Sequence, residues 1–284
     1  MKDKEKKLIS YILEGKAFDE GYSIYELNTA LTEFEFILER AYLSLAGKQN
    51  MMSKDRKTLK IVSKKFEQGS FLSDWELILV GTQMTFSIFN QMSPSEIWDL
   101  TRNTFDFLKI IFSSKNENIP VNINIGDNNN KVTVETGNKY YEFNGPVYKC
   151  AKDSIHHYRN LTNLIEQGSI RKIETKSKEK SGFKLTTKDK DLFHVSKKIE
   201  EVPVDLNAEI YRFDKFKNAG KLRVYPEQII PSGDYSFSVE GKQEIDKYIY
   251  SLTKKKVKIK VLAEYIDDPL DDKKISYLKI TDVV

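Results

Sequence analysis

The sequence predicts an α+β fold: a small helix-backed sheet first, then a hairpin and helix, then a β-rich barrel-like domain of the OB or SH3 type. Three observations carry that expectation. Apolar residues recur at helical spacing from Leu27 to Leu45 and from Ile97 to Ile111. They alternate with polar ones from Val121 to Val134, the period of a strand. From Ile170 onward the period is two, interrupted by one amphipathic helical segment, KQEIDKYIYSL.

Taken in order, LISYIL at 8–13 reads as a strand, and Gly15 and Gly21 bracket a turn. Ser23 and Glu26 have the spacing of a capping box, which predicts a helix start, and Gly47 is placed to end that helix. Leu59 and Ile61 point one way from a strand. Trp75, Leu77 and Leu79 point one way from the next, with Asp74, Glu76 and Ile78 opposite. Ser93-Pro94-Ser95-Glu96 is a second capping box with proline at the first helical position. The polar run SSKNENIP is the best linker. Beyond it Val121, Ile123 and Ile125 pair across a Gly126-Asp127-Asn128-Asn129-Asn130 turn with Val132 and Val134. A helix follows from Pro146 to about Glu166. Short strands are expected at IRKIETK, GFKLT, DLFHVS, NAEIYRFD, KLRVY, YSFSV, KVKIKVLAEYI and KISYLKITDV. These breaks predict three segments: 1–113, 114–169 and 170–284.

Composition narrows the function classes. Aromatics at 12% and hydrophobics at 39% suffice for real cores. No apolar run reaches the length that spans a bilayer, and the apolar run near the start is too short for a secretory signal. With a single cysteine, this predicts a cytoplasmic protein without a membrane partner. The formal charge is +4. Residues 170–284 carry 25 basic and 20 acidic side chains, against 15 and 16 in residues 1–113. That mild excess permits an anionic partner.

The side chains offer five candidate chemistries. Gly69-Ser70 followed by Asp74 and Glu76 looks like a compressed nucleotidyltransferase motif, because two carboxylates two apart share one strand face and can bind a divalent metal. That family spaces the serine and first acid more widely; the competing reading is a turn and a polar strand face. Glu174-Thr175-Lys176 has the form of the last part of a nuclease motif, which lysine- and glutamate-rich chains produce by chance. His156, His157 and His194 offer no chelating set, and neighbouring His156 and His157 point to different sides of a helix. Asp267, Asp268, Asp271 and Asp272 surround Pro269 as calcium ligands or as an acidic turn. No metal or cofactor is expected. Cys150 lies on an apolar helix face and reads as a buried, inert thiol. Lys256, Lys258 and Lys260 make a lysine row on one strand face, with Tyr265, Tyr277 and Phe237 on the same barrel. This is either a surface for single-stranded nucleic acid or a solvated edge.

The layout of YELNTALTEFEFILERAYLSLAG followed by KTLKIVSKKFEQGSFLSDWELIL, with Gly69-Ser70-Phe71 at its turn, resembles a group of uncharacterised bacterial proteins of mobile-element and phage-defence neighbourhoods. The resemblance implies a defence or mobile-element role and transfers no catalytic residue. The leading expectation is therefore a non-catalytic binding, assembly or sensor protein that self-associates or takes a protein partner through Val121, Ile123 and Ile125. The alternatives are a nucleic-acid-binding protein using Lys256, Lys258 and Lys260, and a metal-dependent enzyme at Asp74 and Glu76.

Overall fold

The computed structural model describes residues 6–18, 21, 23–67, 71–80, 92–126, 131–166, 170–270 and 274–283. The fold is α+β, and the chain divides into two compact units, Met1–His194 and Val195–Val284. The division differs from the expected segmentation at 113 and 169.

The first unit is built on a five-stranded antiparallel sheet. Its strands are β1 (Lys6–Glu14), β2 (Leu59–Glu67), β3 (Phe71–Leu79), β7 (Lys172–Lys176) and β8 (Ser181–Thr186), in the order β2-β3-β1-β7-β8. The strands at 172–186, expected in the C-terminal barrel, instead extend the N-terminal sheet. Tyr11 of β1 lies opposite Thr175 of β7. Alternation identifies a strand but does not name its partner.

Helices α1 (Ile24–Leu45), α3 (Pro94–Asn116) and α4 (Val147–Glu166) and the short α2 (Ser53–Thr58) complete this unit with a meander of β4 (Val121–Ile125), β5 (Lys131–Thr136) and β6 (Lys139–Asn144). One sheet face buries Ile9, Tyr11, Leu13, Trp75 and Leu77. There Tyr11 stacks on Phe34 of α1 at 4.6 Å between ring centroids, and Phe34 meets Trp75 at 5.0 Å. Phe105 of α3 and Tyr158 of α4 pack on Phe183 of β8. The segment DLFHVS is no strand. Its Leu192 and Phe193 are buried, and Phe193 packs on Phe112 and Tyr158, so the apolar pair marks a core plug.

The two expected capping boxes differ in outcome. At α3 the Ser93 N–H donates to Glu96 Oε2 at 2.6 Å and the Glu96 N–H to Ser93 Oγ at 3.2 Å. At α1 Ser23 is the N-cap, but its side chain makes no capping hydrogen bond. Another start is better secured. Asp55 of α2, fully buried, accepts from the Met52 N–H at 3.0 Å and the Tyr42 hydroxyl at 3.1 Å, and pairs with Lys48.

The second unit holds β9 (Lys197–Ile199), β10 (Val204–Asp214), β11 (Ala219–Val224), β12 (Gly233–Val239), α5 (Ile245–Ser251), β13 (Val257–Ile266) and β14 (Lys274–Val283). Five strands follow the order β10-β11-β12-β14-β13, and β13 pairs back on β10 to close a barrel. All pairs are antiparallel except β12 with β14. A helix between the third and fourth strands and one parallel pair make this an OB-type barrel. Tyr248 of α5 is fully buried, and its ring stacks on Phe213 at 5.1 Å. Closure needs bending, and bulges supply it at Ile210/Arg212 in β10 and at Ser276 and Thr281 in β14. Gly220 lies opposite Phe213 just past the first bulge. A Cβ there would collide with the Arg212 carbonyl and the Phe237 ring.

Candidate functional site

The β10–β11 hairpin concentrates unusual side chains. The bulge breaks the alternation of EIYRFD: Ile210 lies opposite Leu222 and Arg212 opposite Lys221, which leaves Tyr211 without a partner across the ladder. Tyr211 and Arg212 are consequently both exposed, while Ile210 is buried. Arg223, also outward, stands with its guanidinium 5.9 Å from the Tyr211 ring and donates two bonds to Asp234 of β12, at 2.8 and 3.3 Å. The Asp234 carboxyl is held below its usual range by that arginine.

The hairpin tip is a shaped turn. Asp214 Oδ1 accepts the N–H groups of Phe216 and Lys217 at 3.0 and 3.2 Å. Asn218 adopts φ 47°, and its carbonyl accepts the Val239 N–H at 2.8 Å. Between these anchors Phe216 is 88% exposed, with Lys215 Nζ 5.2 Å from the ring centroid. From 209 to 224 the hairpin carries five basic side chains and two acidic ones, although residues 195–284 as a whole carry 17 and 16. An aromatic face beside cations can stack a base and neutralise its phosphates.

The expected lysine row lies elsewhere on the barrel. Lys258 and Lys260 are exposed on the outer face of β13, and Lys256 precedes the strand. Their surroundings are acidic. Lys258 pairs with Asp205 at 3.5 Å, and Lys260 sits across from Asp205 on one side and Asp282 on the other. Lys256 Nζ lies 6.0 Å from the Tyr225 ring. Phe237 belongs to the barrel core, so it is no part of a surface with these lysines.

Asp74 and Glu76 share the outer face of β3. Asp74 Oδ1 accepts from Ser10 Oγ at 2.8 Å. Glu76 lies between Lys6 and Lys64, at 3.4 and 3.3 Å. Desolvation pushes its carboxyl up, but the two ammonium groups outweigh this and leave it below the usual range. Gly69 and Ser70 lie outside the described residues. Glu174 pairs with Lys172 at 3.0 Å, and Thr175 between Glu174 and Lys176 is buried.

Among the described residues no group of three or more metal-ligating side chains converges. Asp268 caps the Leu270 N–H at 3.0 Å and Asp267 pairs with Lys198 at 2.7 Å, while Asp271 and Asp272 fall outside the described residues. His156 and His194 are exposed and His157 is buried. His157 Nδ1 lies 2.6 Å from Glu33, whose other oxygen accepts from Asn160 at 2.8 Å. Burial holds this imidazole below its usual range. Cys150 is buried, and desolvation pushes its thiol up to about 11.

Val121, Ile123 and Ile125 lie on β4, an edge strand of the meander. They sit opposite Thr136, Val134 and Val132, all buried, so they face inward with the meander core; Ile125 at the end is 43% exposed. Beside the meander, a groove of about 650 Å³ runs between α3 and β6, with Asp106, Lys109 and Glu117 on one wall and Lys139 and Tyr141 on the other. No helix among the described residues is long and apolar enough to cross a membrane.

The tip had a readable signal in the sequence: an aspartate followed by a lysine-flanked phenylalanine and an asparagine is a turn with an aromatic at its apex. No protein-family model matches the chain, and no curated protein or solved structure matches it significantly.

Proposed function

We propose that the protein is a non-catalytic binding protein whose C-terminal barrel takes single-stranded nucleic acid on the β10–β11 hairpin. The observation that carries this reading is Phe216, 88% exposed on a turn anchored by Asp214 and set between Lys215 and Lys217. The ring packs on no core there, and with exposed Tyr211 it forms an aromatic surface among cations. Arg212, Lys221 and Tyr211 continue the same surface along the strands, and OB-type barrels hold oligonucleotides at this loop and the neighbouring strands. The hairpin replaces Lys256, Lys258 and Lys260 as the preferred surface because Lys258 and Lys260 stand among acidic neighbours.

The test is fluorescence anisotropy with labelled DNA and RNA single strands across a salt series. Binding that strengthens as salt falls, and that weakens on Phe216→Ala, supports the reading. No binding at low salt removes it. A second reading, assembly through β4, is favoured by the character of that edge and is developed below. A role in phage defence or on a mobile element rests on the resemblance of the N-terminal layout alone.

A further inference from the structure

Five strands form the described sheet edges: β2, β8, β4, β6 and β9. Four carry charged side chains, the usual protection against edge pairing. β2 has Lys60 and Lys64 and a bulge, β8 has Lys184, β6 has Lys139 and Glu142, and β9 has Lys197 and Lys198. β4 is Val-Asn-Ile-Asn-Ile, with no charge, no glycine, no proline and no bulge. Among the described edges, its free side is therefore the one left competent to pair.

The ladder fixes which groups are presented there. The Gly126 N–H donates to the Lys131 carbonyl at 2.8 Å. Alternation from that bonded pair turns the backbone groups of Asn124 and Asn122 toward β5, and those of Ile125, Ile123 and Val121 away from it. The strand also reads alike in both directions. Laid antiparallel on itself about Ile123, it sets Val121 against Ile125, Ile123 against Ile123 and Asn122 against Asn124. Apolar side chains meet apolar ones on the inner face, and exposed amides meet amides on the outer face, where they can bond in pairs.

We propose that β4 is the seam of a twofold homodimer, pairing antiparallel with β4 of a second copy about Ile123. The two meanders then form one six-stranded sheet. Such an interface is isologous, and a self-complementary strand is what it requires. This inference is independent of nucleic-acid binding, which belongs to the other unit.

The test is sedimentation velocity on the full chain from low micromolar to millimolar concentration. The wild type is expected to dimerise. The double variant Asn122→Lys with Asn124→Lys sets lysine against lysine twice across the seam, and should weaken the dimer about tenfold or more. Asn122→Lys with Asn124→Glu sets lysine against glutamate in the same register, and should restore it. Both positions are exposed, and circular dichroism checks that each variant folds. A wild type that stays monomeric overturns the proposal. So does a dimer that ignores the lysine pair, or one that the lysine–glutamate pair fails to restore.

Discussion

Two faces of the same barrel carry comparable numbers of cations and differ in what surrounds them. On β13, Lys258 and Lys260 stand opposite or beside Asp205 and Asp282, so the face is close to neutral at short range. On the β10–β11 hairpin, Asp214 spends its side chain on capping the turn, and the cations around it lie beside exposed Tyr211 and Phe216. A row of lysines along one strand therefore says little until the neighbouring strands are known. Screening shortens the reach of each surface charge to roughly 10 Å or less at physiological salt, so the nearest opposite charge decides.

That contrast can be broken most severely at Gly220. Gly220→Ala places a methyl group against the Arg212 carbonyl and the Phe237 ring, and should cost the second unit about 2–3 kcal/mol. Thermal or urea unfolding measures this, and nucleic-acid binding should fall with it. Phe216→Ala should leave stability unchanged and weaken single-strand binding by about 1–3 kcal/mol, read by anisotropy. Lys258→Ala with Lys260→Ala should shift the same affinity by less than about threefold, because these cations already have acidic neighbours. Lys215→Ala should lower the slope of log affinity against log salt by about 0.7, the value of one phosphate contact on a single strand. Smallest is Asp234→Asn, which releases Arg223 from its bidentate partner and should tighten binding by roughly twofold.

A pH series separates the two units further. Asp55 in the first unit is fully buried; desolvation pushes its carboxyl up, but Lys48, the Met52 N–H and the Tyr42 hydroxyl outweigh this and hold it below the usual range. A carboxylate depressed in the folded state stabilises above its unfolded value of about 3.9, and that stability is lost as pH falls through the folded value. Asp55→Ala should therefore destabilise the first unit at pH 7, by about 2–3 kcal/mol, and the deficit against wild type should shrink as the pH is lowered below about 4. Urea unfolding across that range measures it.

Local features of the fold were legible in the sequence. Ser93 and Glu96 form the box their spacing implies, and the inserted segment at 242–252 does supply the helix, Ile245–Ser251, that contributes Tyr248 to the barrel core. What could not be read was pairing between distant strands. Ser10 lies opposite Asp74 on one side and Lys176 on the other, and no local pattern announces either. The same limit hid the acidic neighbours of the lysine row, which come from β10 and β14. β6 is not announced by the sequence, because KYYEFN runs straight into the start of α4 and the asparagine, glycine and proline there read as a helix approach. The hairpin site, by contrast, is visible as a slip in alternation at Tyr211-Arg212 and a turn at Asp214, features that lysine spacing alone does not mark.

The most direct measurement is the affinity of wild type, Phe216→Ala and the Lys258→Ala, Lys260→Ala pair for one labelled single strand at low and at physiological salt. The account predicts salt-sensitive binding by the wild type, a clear loss at Phe216 and near-wild-type binding by the lysine pair. Binding that survives without Phe216 and disappears with the two lysines would place the site on β13 and contradict it.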